Sequence, residues 1–188
     1  MADETSVVEY AGTPIADLDR YSGAALTYQD VVSWTVPTGK AGVLFEVSIE
    51  SSDYAHTEIR LQFQESLTGT VTLTNGSTAV TGSSTLFTTE LAVGDRIILD
   101  ADETWATILS IESNTALTLS AVYAGTGGSG AGSKVWGFED KIIQSALTLP
   151  WNNNKLAAGM IVKWQAQSTD GTAIVVDGSI TGKTLEYE

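Results

Sequence analysis

Alternation with a period of two is the feature that most constrains this chain. In VLFEVSIE, residues 43–50, Val43, Phe45, Val47 and Ile49 fall on one side of an extended backbone, and Glu46, Ser48 and Glu50 fall on the other. Successive side chains of a strand point to opposite faces, so this is the pattern of an antiparallel strand with one buried face. VVSWTV does the same with Val32, Trp34 and Val36. HTEIRLQFQ sets Ile59, Leu61 and Phe63 against Glu58, Arg60, Gln62 and Gln64, and MIVKWQAQ aligns Met160, Val162, Trp164 and Ala166. No convincing amphipathic helix is present, since none of these runs has the i, i+3, i+4 spacing over about ten residues. Only the segment before residue 30 comes near it, with room for a short helical turn over 16–21. The expectation is an all-β chain.

One stretch, residues 69–134, reads as a β-module of its own. Val71 and Leu73 alternate with threonines up to Asn75-Gly76, a two-residue hairpin signal, and Ala79-Val80-Thr81 returns. Residues 83–91 are irregular or a single helical turn, anchored by Leu86, Phe87 and Leu91. Gly94-Asp95 turns into RIILD, the run from Trp105 to Ile111 pairs back, and ALTLS and Val122-Tyr123 follow. Such a series of short strands suits a small barrel or sandwich. The exit, GTGGSGAGS, has the composition of a flexible glycine-serine connection. The predicted organisation is an N-terminal arm over 1–29, an outer β-sandwich of jelly-roll type built from 30–65 with 136–188, and an inserted β-barrel or sandwich module over 66–135. PWNNN, at 150–154, is expected to be a loop.

Composition narrows the function. The net charge is −14, from 23 acidic and 9 basic residues. Neutralising phosphates needs clustered Lys and Arg, so direct nucleic-acid binding is not expected. No apolar run reaches the length of a membrane span. MADETSVVEY has neither the basic nor the apolar segment of a secretory signal, so the protein is expected to be made and assembled inside the producing cell. With no cysteine there is neither a disulfide nor a thiolate metal site.

No motif assembles into a catalytic centre. Residues 125–130 satisfy G-x-G-x-x-G, but a dinucleotide site needs a helix after it, and SKVWGF reads as a strand. His56 is the single histidine; Asp53 lies nearby, but no nucleophile elbow accompanies it, and it reads as a surface residue. Asp100, Asp102 and Glu103 cluster in a turn where oxygen ligands could gather, without the EF-hand spacing. The expectation is no catalytic, cofactor or metal residue. Trp34 and Trp164 read as core, Trp105 as core of the inserted module, and Trp136 as packing at the junction. Trp151, in a polar loop, either caps the sandwich core or anchors a partner.

The series GTVTLTNGSTAVTGSSTLFTTELAVGDRIIL, TILSIESNTALTLS and AGTGGSGAGS resembles a β-module that recurs in virion proteins of tailed phages and related viruses. WTVPTGKAG, LTLPWNNNKLAAG and WQAQSTDGT are similar in pattern to small jelly-roll proteins that decorate capsids. The resemblance implies a structural virion protein, not an enzyme. It would bind the capsid exterior as a decoration, cement or turret protein after assembly in the host cytoplasm. Its partners would be the major capsid protein and neighbouring copies of itself in a homo-oligomer, with a trimer favoured. The expected contacts are Val7, Val8, Tyr10, Ile15, Leu18 and Tyr21 of the arm, together with Trp151. Alternatives are a tail or fibre-tip protein and a carbohydrate-binding adhesin that stacks a host surface glycan on Trp151, Tyr123 or Tyr54.

Overall fold

The computed structural model describes residues 12–186. The strands are β1 (Thr13–Gly23), β2 (Gln29–Thr35), β3 (Lys40–Ser51), β4 (Thr57–Ser66), β5 (Thr70–Thr74) and β6 (Ala79–Ser83). A single helical turn, α1 (Phe87–Glu90), precedes β7 (Arg96–Leu99), β8 (Ala106–Ser113), β9 (Ala116–Leu119), β10 (Gly127–Gly130) and β11 (Gly132–Ile142). The chain continues through β12 (Leu147–Leu156), β13 (Ile161–Ser168) and β14 (Ile174–Glu186). The fold is all-β, as the alternation requires. It divides into two compact units, one of Met1–Ile59, Ile142–Gly159 and Trp164–Glu188, the other of Arg60–Lys141 and Met160–Lys163.

In the first unit an antiparallel sheet runs β1-β14-β3-β12. Its inner face carries Leu44, Val47, Ile49, Ile174, Val176 and Ile180, all buried. That face meets β2 closely. A Cβ on Gly178 would lie 2.8 Å from a Val32 methyl, and one on Gly42 would lie 2.7 Å from both Trp34 and Val36. Strand β2 neighbours β13, which neighbours β4. Trp34 and Trp164 sit in this sandwich core at 5% and 0% exposure.

Three local readings change here. Residues 13–23, expected within an arm with at most a helical turn, form β1, paired with β14 from Thr13↔Thr184 to Gly23↔Ile174. The stretch has little strand signal of its own, and the distant partner supplies its backbone bonds. Phe45 does not share a face with Val47 and Ile49. Thr181 and Gly182 of β14 pair with Glu46 and Leu44, so Phe45 is an extra residue that faces outward, 39% exposed. One extra residue reverses the side-chain parity along a strand. PWNNN is not a loop. Pro150 pairs with Glu46 and Asn154 with Leu44, so it forms a wide irregularity within β12 opposite the same bulge.

The second unit contains a closed barrel. Its strands run β10-β5-β6-β9-β8-β7-β11, and β4 lies beside β11 outside the ring. Strands β10 and β11 are one continuous stretch of chain, bent at Ala131. The first half pairs with β5 (Gly130↔Val71) and the second with β7 (Gly132↔Leu99), which joins the two ends of the sheet. Val71, Leu73, Val80, Phe87, Leu91, Ile97, Ile108, Leu117, Leu119 and Tyr123 fill the interior. Phe87 and Leu91 anchor α1 as expected, whereas Leu86 is 42% exposed. GTGGSGAGS is therefore a closing strand, not a flexible connection. Glycine is needed because the bend brings backbone against side chains: a Cβ on Gly132 would lie 2.8 Å from a Val71 methyl and 3.1 Å from the Ile98 carbonyl.

Candidate functional site

The polar side of β4 is the densest concentration of chemistry among the described residues. Arg60, Gln62 and Gln64, read from sequence as the face opposite Ile59, Leu61 and Phe63, are 4%, 0% and 6% exposed. What covers them in the second unit is the turn between β7 and β8, together with Lys163 of β13. Glu103 sits in that turn with a left-handed backbone (φ 51°), an uncommon conformation for a residue with a side chain. Its carboxylate takes hydrogen bonds from Lys163 Nζ and, at 3.3 Å, from Arg60 Nη2. Arg60 Nη1 also donates to the Glu103 carbonyl at 3.1 Å and lies 4.0 Å from Glu139.

The network continues along the row. Trp105 Nε1 donates to Gln62 Oε1 at 2.8 Å, and Gln62 Nε2 donates to Gln64 Oε1 at 3.2 Å. Gln64 Nε2 donates to Ser133 Oγ at 3.0 Å and to Asp100 Oδ1 at 3.3 Å. Trp105 is thus not core of the barrel. Its ring takes two guanidinium groups, Arg60 at 5.6 Å and Arg96 at 4.9 Å. Burial pushes the Asp100 carboxyl up, against a hydrogen bond from Ser133. Burial also raises Glu139, with Asp140 adding to the shift while Arg60 and Arg96 oppose it. Each polar group answers another, so the network pins the 100–105 turn to β4. It offers no activated nucleophile beside a base.

Beside Arg96 the network opens to a cleft of about 170 Å³ lined by Gly94, Asp95, Arg96, Lys134, Val135, Trp136 and Gly137. Lys134 Nζ lies 2.7 Å from Asp95. The Trp136 ring stacks on Phe63, with centroids 5.7 Å apart and planes within 9°.

The candidates drawn from sequence disperse. Asp100, Asp102 and Glu103 do not converge. Asp102 accepts from Tyr123 Oη, from Gly127 N at 3.0 Å, and from Thr104 N and Thr126 Oγ1 at 3.2 Å each. Burial alone would raise its carboxyl, but these bonds hold it below the usual range. Among the described residues no cluster of three or more acidic or histidine side chains is placed to hold a metal. His56 Nδ1 lies 2.8 Å from Asp53 Oδ2 and Nε2 lies 3.6 Å from Asp170 Oδ2. Both ring nitrogens face carboxylates, so no hydroxyl takes the nucleophile's place. The Asp53 contact raises the imidazole, and the same contact lowers Asp53.

Of the expected partner contacts, Val7, Val8 and Tyr10 lie outside the described residues. Ile15 and Tyr21 are half-buried and pair with Gly182 and Val176 of the inward row of β14, whereas Leu18 pairs with outward Ser179 and is 77% exposed. The three do not share a face. Trp151 is half-buried in the β12 irregularity. Tyr123, considered for sugar stacking, is 2% exposed inside the barrel, while Tyr54 is half-buried.

The outward face of the first unit's sheet has its own order. Register places Leu18, Ser179, Ser48 and Thr148 in one row across four strands, and Ala16, Thr181, Glu46 and Pro150 in the next. The Ser48 and Ser179 hydroxyls are 2.7 Å apart. A shallow cleft of about 160 Å³ lies here, lined in part by Leu18, Ser48 and Thr148 and ending at Asp177 and Glu50. Arg20 closes on Asp177 at 2.6 Å.

No protein family and no curated protein matches the chain. Among solved structures it is similar to VP17, a capsid protein of bacteriophage P23-77, at 11% identity and a TM-score of 0.22, covering 94% of this chain and 99% of that one. It is also similar to the VP16-VP17 complex of the two major capsid proteins of that phage, at 10% identity and a TM-score of 0.17, covering 92% and 100%. Superpositions this loose carry nothing over to the present chain.

Proposed function

We propose that this chain is a structural virion protein of a tailed virus that binds the capsid exterior and neighbouring copies of itself by adhesion. The sequence resemblance to phage β-modules motivates the reading. The observation that carries it is the outward row Leu18–Ser179–Ser48–Thr148, uncharged in a chain of net charge −14. An exposed leucine above a floor of small hydroxyl side chains suits packing against a flat protein surface. Burying that leucine contributes about 1.5–3 kcal/mol, a modest amount that symmetric repetition multiplies. Tyr123, buried in the barrel, is withdrawn from the adhesin alternative.

The test is co-sedimentation of the purified protein with undecorated heads. Saturable binding that Leu18→Glu weakens about tenfold or more supports the reading. Saturable binding that Leu18→Glu leaves unchanged removes this face from it, and no binding at all removes the capsid.

A further inference from the structure

Asn75-Gly76 is the chain's one Asn-Gly pair, and it lies exposed in the loop between β5 and β6. Ser77 N donates to the Thr74 carbonyl at 3.0 Å, which closes a turn around the pair, and Gly76 holds φ 75°. Asparagine before glycine is chemically labile, because a residue without a Cβ leaves its backbone nitrogen open to the preceding carboxamide. In that reaction the Gly76 nitrogen gives up its proton and bonds to Asn75 Cγ, and ammonia leaves with Nδ2. Water then opens the succinimide to aspartate or isoaspartate. Here both reacting groups are tied to one segment of chain. Gly76 N donates to the Tyr123 carbonyl at 2.9 Å. Asn75 Nδ2 donates to the Gly125 carbonyl at 2.8 Å. Tyr123 is in turn seated inside the barrel at 2% exposure, with its hydroxyl on Asp102.

The product has the wrong polarity for that place. A backbone carbonyl only accepts, so it holds the carboxamide by its N–H and repels a carboxylate. Asp102 adds to the repulsion, since a Cβ on Gly125 would lie 2.7 Å from Asp102 Oδ2. Asn114 is the opposite case. Its Oδ1 accepts from Thr88 N at 3.1 Å and from Thr88 Oγ1, roles that an aspartate fills equally. Thr115, not a glycine, follows it. We propose that Asn75 is a deamidation site guarded by the 123–125 segment: it is protected while that segment is seated, is converted once the segment lifts, and on conversion loosens the closure of the barrel. Nothing in this draws on the adhesive reading.

The experiment incubates the full chain at mildly alkaline pH, folded and in urea, and follows position 75 by peptide mass spectrometry. In urea, Asn75 should convert faster than Asn114 and yield isoaspartate as well as aspartate. In the folded chain it should convert at least tenfold more slowly. Gly76→Ala, read only in urea where folding has no part, should slow the conversion about tenfold. Asn75→Asp should lower the thermal midpoint and speed hydrogen exchange at the Gly76 amide, whereas Asn114→Asp should leave both near those of the parent chain. Absence of isoaspartate at position 75 in urea, or a rate there indifferent to Gly76→Ala, overturns the site. Equal rates in the folded and unfolded chains overturn the guard. A midpoint for Asn75→Asp no lower than that for Asn114→Asp overturns the link between deamidation and barrel closure.

Discussion

Replacing Glu103 with glutamine keeps the shape of the side chain and removes its charge. Arg60 and Lys163, with side chains 5% and 6% exposed, then lose the carboxylate they share. Removing one partner of a buried ion pair costs about 3–5 kcal/mol, because the other charge stays buried. Two features lower that figure here. Glu103 is itself 27% exposed and partly screened, and Glu139 remains 4.0 Å from Arg60. The expected loss is about 2–4 kcal/mol, read from urea unfolding followed by tryptophan fluorescence with an unchanged slope. Lys163→Met leaves Glu103 its Arg60 partner and should cost less than half as much. A loss below about 1 kcal/mol for Glu103→Gln, or a larger loss for Lys163→Met, would refute the reasoning that this network is a buried ionic clamp.

Gly132→Ala should destabilise by about 1–3 kcal/mol through overpacking at the barrel bend, whereas Gly130→Ala, whose Cβ would meet only Leu99 at 3.9 Å, should be nearly neutral; equal melting temperatures would contradict closure by β10 and β11. His56 should titrate above its ordinary value near 6.5. Its contribution is therefore present below that value and lost as pH rises through the raised one, and His56→Gln, which removes the single histidine, should flatten stability over that window in calorimetry. Deleting residues 1–25 removes β1 from β14 and should lower the thermal midpoint of the first unit by circular dichroism, while deleting 1–11 leaves β1 in place; identical midpoints for the two would discount the strand.

Strand content was legible because period-two runs such as VLFEVSIE and MIVKWQAQ need no tertiary information to show one apolar face. Their exceptions were not. Phe45 faces outward because Gly182 of a strand more than a hundred residues away pairs past it, and no local pattern encodes a partner's register. β1 carries Asp17 and Asp19 on its inward row, the kind of charge that protects a sheet edge and that also masks a strand in sequence. The glycine-serine run read as a linker because composition reports flexibility and is silent on crowding; only the approach of Val71 to Gly132 reveals the need. At the candidate site, alternation marked Arg60, Gln62 and Gln64 as one face correctly. It could not say that a turn forty residues onward would cover that face. The signal that was present was Trp105 beside Glu103 in a turn, where an aromatic ring and a charge together ask for a cationic partner.

The most direct test of the adhesive account is quantitative mass spectrometry of gradient-purified virus particles from the producing host, read against the major capsid protein. The account predicts this chain in the particle band, at a fixed ratio to the capsid protein and lost from that band when Leu18→Glu replaces the native protein. Its confinement to the soluble fraction, or a ratio that varies between preparations, would contradict it.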